Sequence, residues 1–189
     1  MENVLIVSGS NKSAAAIGEL IGTSGQHKIT TVCSAGEAKR ITNRQDFSLI
    51  VINTPLTDEM GADLAVQLTG STLAGVIMLV KSDISGQISS KVEDFGVLVV
   101  DKPINRLLLS QAVRLTIATG KRIRGFKQES IKLKTQIDEM RLVERAKYVL
   151  MQYLKLSEPQ AHRFIVKQAM DMRLTKAQVA ENVLKTYES

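Results

Sequence analysis

The sequence predicts an α/β domain, doubly wound around a parallel five-stranded sheet, and then a long helix leading into a C-terminal three-helix bundle. Three observations carry this. Residues 1–120 alternate short, nearly all-apolar runs with amphipathic stretches, strand signals cease after Gly120, and two near-identical helix starts punctuate the last third. The apolar runs are residues 3–8 (NVLIVS), 28–33 (KITTVC), 48–53 (SLIVIN), 75–80 (GVIMLV) and 96–100 (GVLVV). Runs of this length and β-branched content suit parallel strands covered on both faces. Helical stretches fall between and after them at Ser13–Gly25, Gly36–Asn43, Gly61–Thr69, Ile84–Glu93 and Ile104–Ala118. Five such β–α units imply right-handed crossovers, helices on both faces and a crevice at the carboxyl ends of the strands.

From Gly120 onward the chain reads as helix. Phe126, Leu133, Ile137 and Met140 fall at alternating heptad positions, with the polar Ser130 interrupting the series. The stripe spans about two heptads, short for a coiled coil. Packing on its own domain and pairing with a second copy in a homodimer both remain open, and the second is the expectation because no other segment here could bury the stripe. The bundle's first helix continues through Val143, Ala146, Leu150 and Leu154. Ser157-Glu158-Pro159-Gln160 is a capping box with proline in the first turn, and Thr175-Lys176-Ala177-Gln178 repeats the box. The second helix is expected to bury Ala161, Phe164, Ile165, either Gln168 or Ala169, and Met172, and the third Val179, Ala180, Val183, Leu184 and Tyr187. The expected organisation is thus a first domain at 1–120, a helical linker at 121–140 and a bundle at 141–189.

Charge separates along the same line. The chain carries 25 Lys and Arg against 19 Asp and Glu, and the excess lies wholly in the tail. Residues 1–120 hold 10 basic and 11 acidic side chains, whereas residues 121–189 hold 15 and 8. A basic tail of this kind suits an anionic partner, nucleic acid more often than membrane, although a merely solvated helical face gives the same excess. One cysteine, Cys33, excludes a disulfide framework and a cysteine-based zinc site. The N-terminus lacks the basic stretch of a signal peptide and no apolar run approaches membrane length, so a cytoplasmic protein is expected. With no phosphate-cradling glycine motif, nucleophile–base pair or metal cluster, neither an enzyme nor a bound cofactor or metal is expected.

The front domain resembles a response-regulator receiver, a flavodoxin-like fold, over residues 1–120. Asn53 closes the third apolar run where receivers carry their phosphoacceptor aspartate, Gly61 follows eight residues later, and Asp101-Lys102-Pro103 follows the fifth run. The resemblance is to a degenerate member. Ser8 and Gly9 stand where an acidic pair is usual, Val80 followed by Lys81 replaces a fourth-strand hydroxyl, and the Asn53 amide is neither nucleophilic nor charged. Magnesium requires hard anionic oxygens, and these matched positions supply none. Lys102 has two readings: it binds an anion or fixes Asn53, or it only shapes the loop into the last helix, and the second is preferred. Asp58, Asp63, Asp83 and Asp101 have no ligand-like spacing.

The tail resembles the ANTAR domain, the RNA-binding module of transcription antitermination regulators. The resemblance rests on Ala146-Lys147, Leu150-Met151, Leu156-Ser157, Ala161, Ala169-Met170 and Val179-Ala180, in order across residues 141–185. It departs at Tyr148, where glycine is usual, and at His162, where an aromatic is usual. The resemblance implies a dimer that binds paired hairpins in a nascent leader transcript and prevents a terminator from forming. Several members serve nitrogen-source genes. Loop recognition needs cations for phosphates and planar groups for unstacked bases. Lys147, Arg163, Lys167, Arg173 and Lys176 are the candidates, with Arg141 and Arg145 extending the surface and Lys147 foremost. Tyr148 is a candidate for base stacking or for packing, and Met151 and Ala146 for an apolar close approach or for core packing. A regulatory protein partner at the receiver-like domain, an adaptor role and a DNA-binding role are the alternatives.

Overall fold

The computed structural model describes residues 1–22 and 25–187. Elements follow in the order β1 (Glu2–Ser8), α1 (Asn11–Gly22), β2 (His27–Val32), α2 (Ala35–Thr42), β3 (Leu49–Asn53), α3 (Ala62–Ser71), β4 (Gly75–Lys81), α4 (Ser82–Val92), β5 (Leu98–Lys102), α5 (Arg106–Leu154), α6 (Glu158–Met172) and α7 (Lys176–Tyr187). A short 3-10 turn at Glu93–Phe95 precedes β5. All five expected strands are present. The first helical stretch was expected to run through Thr23 and Ser24, which lie outside the described residues.

The sheet is parallel throughout, in the order β2-β1-β3-β4-β5. Alternation along each central strand divides the core in two. Leu5, Val7, Ile50, Ile52 and Met78 face the cluster completed by α2, α3 and α4. Val4, Ile6, Val51, Ile77 and Leu79 face the opposite cluster, closed by Ile17 and Ile21 of α1 and Leu109 and Val113 of α5. Both faces of β1, β3 and β4 are therefore sealed, which is why these strands read as continuous apolar runs. Two glycines are required. A Cβ on Gly75 would lie 2.1 Å from the Thr116 side chain, so α5 passes directly over the start of β4. Gly61 has φ 89°, and a Cβ there would meet Ile52 at 2.9 Å, so the turn into α3 tolerates no side chain.

The helical part differs from expectation in one respect. The last helix of the first domain, the linker and the first bundle helix are one α-helix of 49 residues, Arg106–Leu154. Gly120 and Gly125 do not break it, because a glycine within a helix costs only about 1 kcal/mol against alanine. The chain divides into two compact units, Met1–Gly125 and Phe126–Ser189. Residues just past Gly120 are tied to the first unit: Lys121 pairs with Glu2 at 2.7 Å, and Arg124 donates to the Leu73 carbonyl at 3.2 Å.

In the second unit Ala146, Val149 and Leu150 of α5 pack with Ala161, Ile165 and Ala169 of α6 and Val179, Ala180 and Val183 of α7. Leu154 and Met172, expected inside, are instead exposed, because each ends its helix where the chain turns away. Both capping boxes form. The Gln160 side chain accepts from the Ser157 N–H at 2.8 Å, and the Gln178 side chain accepts from the Thr175 N–H at 2.9 Å. Among the described residues, no helix is long and apolar enough to cross a membrane.

Candidate functional site

Two regions gather the residues singled out from the sequence. The first is the crevice at the carboxyl ends of the strands. Asn53 closes β3 and is 9% exposed, and its amide Nδ2 donates to the Ser8 hydroxyl at 2.9 Å. That hydroxyl in turn donates to the Ser10 carbonyl at 3.1 Å. Asn53 is therefore held in a neutral hydrogen-bonded chain. Lys102 lies in β5, and its ammonium donates to the Thr54 carbonyl at 2.5 Å, one residue beyond Asn53. Burial, reinforced by the neighbouring Lys81 charge, lowers its pKa below the usual lysine range. Of the two readings of Lys102, the bond to a loop carbonyl supports the structural one; no bond to Asn53 is present among the described residues.

The acidic residues nearby are engaged locally. The Asp58 carboxylate accepts the Ala35 and Gly36 N–H groups at 2.9 and 3.1 Å, capping the start of α2, and these bonds lower its pKa. Among the described residues, no group of three or more His, Cys, Asp or Glu side chains is arranged to hold a metal.

The second region is the surface of the bundle. Arg163 and Lys167 stand one turn apart on α6, both exposed, on the face opposite the buried Ala161, Ile165 and Ala169. The Arg163 Nε donates to the Pro159 carbonyl at 3.3 Å, which orients the guanidinium along the helix. Arg173 follows α6 in the left-handed conformation, with φ 55°, and Lys176 opens α7; both are exposed. Lys176, Thr175 and His162 line a concavity of about 530 Å³ with Met140 and Val143 of α5. Arg141 and Arg145 are exposed on α5. Tyr148 is 73% exposed, which favours an outward role over packing, whereas Met151 is half-buried against the bundle core.

Lys147 departs from its expected place. It is only 6% exposed, and its ammonium is shared between Glu144 at 2.8 Å and Glu158 at 2.9 Å. These two hydrogen bonds, Glu144 first, raise its pKa, and the same contact lowers that of Glu158. The foremost sequence candidate is thus not a free cation. It joins α5 to the first residue of α6, where a carboxylate also complements the positive end of the helix. The Glu144 contact, three residues along one helix, is a spacing that sequence alone can flag. The Glu158 contact crosses the turn between two helices and has no local signal.

Along α5, Leu133, Ile137 and Met140 are at least half exposed, as is Phe126. Ile123, 51% exposed, extends the same stripe by one further three-residue step and was not among the residues singled out from the sequence.

Comparison with known proteins agrees with this division. Residues 132–184 match the ANTAR domain family model. The chain is similar to the transcriptional regulatory protein PdtaR of Mycobacterium tuberculosis, with 25% identity over 171 residues, 90% of this chain and 83% of that protein. Among solved structures, the signal receiver domain of an HD domain-containing protein from Pseudomonas fluorescens Pf-5 superposes with TM-score 0.60 at 15% identity, covering 66% of this chain and 92% of that one. A response regulator receiver domain protein from Clostridium thermocellum gives TM-score 0.56 at 21% identity, covering 65% and 99%. At these identities the structural matches show the fold. Residues 132–184 thus match the ANTAR domain, and residues of the first unit adopt the fold of receiver domains.

Proposed function

We propose that this protein is an RNA-binding transcription antiterminator that grips hairpin loops of a nascent leader transcript and keeps the competing terminator hairpin from forming. The observation that carries the proposal is the exposed cationic set Arg163, Lys167, Arg173 and Lys176 on α6 and α7 of a bundle matching the ANTAR domain. Splayed loops offer phosphates to such cations and unstacked bases to planar groups, so the exposed Tyr148 ring is the candidate stacking platform. Lys147 acts from behind this surface: by holding Glu144 and Glu158 it fixes the start of α6, and so the direction in which Arg163 and Lys167 point. The exposed stripe Phe126, Leu133, Ile137 and Met140 pairs with its copy, so that a homodimer presents two bundles to paired hairpins. Control does not pass through aspartyl phosphorylation, since Asn53, Ser8 and Gly9 stand at the positions that would need carboxylates.

The test is a gel-shift titration of the full chain against leader hairpins across salt concentrations. Binding is expected to fall steeply with salt, and Lys167→Ala to weaken it and reduce the logarithmic salt slope by about one. Light scattering is expected to report a dimer that Ile137→Glu converts to monomer. A correctly folded chain that ignores such hairpins at low salt would overturn the reading.

A further inference from the structure

Within the second unit, α5 presents three faces. Ala146, Val149 and Leu150 turn toward the bundle core, and Phe126, Leu133, Ile137 and Met140 form the exposed apolar stripe. At about 100° per residue, the third face collects Lys127, Lys134, Arg141, Arg145 and Tyr148, spaced seven, seven, four and three residues apart. These side chains fall within an arc of about 60°, roughly 90° around the helix from the stripe and further from the core-facing side. All of them are exposed. At 1.5 Å per residue the row runs for about 30 Å along the helix. Lys127, Lys134 and Arg141 make no ion pair and no side-chain hydrogen bond among the described residues, in contrast to Lys147. Along α5, Asp138 alone among the acidic side chains falls beside this row, so the row keeps a positive excess.

We propose that this row is a second nucleic-acid contact, which holds the sugar–phosphate backbone of an RNA stem along α5 while the bundle engages its loop; the proposal rests on the reading of the chain as an RNA-binding protein. Lys127, Lys134 and Arg141 recur at about 10 Å on one continuous helix and so form a fixed line of charge. A paired stem presents its phosphates and 2′-hydroxyls across a wide, shallow minor groove that a helix face can approach. Cations on phosphates carry no base preference, so such a contact positions the RNA and leaves sequence to the loop. Tyr148 closes the row at its bundle end, which sets the candidate stacking ring where stem gives way to loop. Because the row lies off both the stripe and the core, it stays open to solvent when two copies pair.

Fluorescence anisotropy of the full chain against a labelled RNA duplex of about 16 base pairs, the span that double-strand-binding domains cover, tests this without requiring the leader sequence. Lys134→Gln and Lys132→Gln remove the same charge from exposed positions two residues apart, but Lys132 lies about 160° around the helix from Lys134. Lys134→Gln is expected to weaken duplex binding about threefold and to lower the logarithmic salt slope by about one. Lys132→Gln leaves both unchanged, and Lys134→Arg restores the wild-type values. Lys127→Gln combined with Lys134→Gln is expected to lose about tenfold in affinity and about two units of slope. Equal effects of Lys134→Gln and Lys132→Gln, or tighter binding of the unpaired strand or of a DNA duplex of the same sequence, overturn the proposal. Leader hairpins in the same assay separate the two readings. A chain that binds hairpins yet treats Lys134→Gln like Lys132→Gln loses only the row, and one that binds the duplex through Lys134 but no hairpin loses the antiterminator reading.

Discussion

Two basic residues occupy positions where helices often end in glycine. Lys155 follows α5 with φ 54°, and Arg173 follows α6 with φ 55°. At the second site the Leu174 N–H reaches back to the Ala169 carbonyl at 3.0 Å, a closure that requires a left-handed residue between them. A side chain bearing a Cβ costs about 1–2 kcal/mol in that conformation. Replacing it with glycine removes the cost but adds about 0.5–1 kcal/mol of unfolded-chain entropy. Arg173→Gly is therefore expected to stabilise the bundle by about 0.5–1 kcal/mol. For a unit of this size, that raises the midpoint of a circular-dichroism melt by about 2–8 °C. Lys155→Gly should do the same. The two variants then separate in RNA binding, because only Arg173 belongs to the proposed contact surface. Arg173→Gly should lose affinity and about one unit of salt slope while gaining stability, and Lys155→Gly should gain stability alone. A lower melting midpoint for Arg173→Gly would refute the left-handed cap. Equal loss of RNA affinity in both variants would refute the contact assignment.

Leu150→Ala removes a side chain with no exposed surface from the bundle core and should cost about 2–5 kcal/mol, enough to unfold a unit this small, read as lost helical signal while the first unit resists protease. Asn53→Asp restores a carboxylate at the end of β3 but leaves Ser8 and Gly9 beside it, so incubation with acetyl phosphate and magnesium should add no phosphoryl mass; a stable adduct would contradict this. Hydrogen bonds from Lys121, and secondarily from Ser48, hold Glu2 at a pKa of about 2 against 4.5 for the free group. A depressed carboxyl pKa stabilises the fold above the unfolded value and loses that contribution as pH falls from about 4.5 to 2. Because Lys121 is 59% exposed, solvent screening limits the effect to about 0.5–1 kcal/mol. Denaturation of wild type and Lys121→Gln should accordingly differ at neutral pH and converge near pH 2.

Much of this architecture is local, and local features are legible in a sequence. The buried strands announce themselves because both faces of the sheet are covered, so each strand is a solid apolar run. The capping boxes at Ser157 and Thr175 place two helix starts, since their hydrogen bonds close within four residues. The loss of charge at Asn53, Ser8 and Gly9 is a matter of residue identity at strand ends, and needs no coordinates to see.

Tertiary structure decided what depends on distant parts meeting. The sequence separates a helical stretch at Ile104–Ala118 from a helical linker beginning at residue 121, but packing over β4, with Thr116 against Gly75, and the ties from Lys121 and Arg124 carry one helix through the junction. Lys147 looked like the leading cation because its motif matched. Only the fold brings Glu158 across the turn to consume its charge, which leaves the exposed surface to Arg163, Lys167, Arg173 and Lys176. A residue's type and its neighbours along the chain are written in the sequence. Whether its charge is already answered is settled by partners brought from elsewhere, because electrostatic pairing acts through space and not along the backbone.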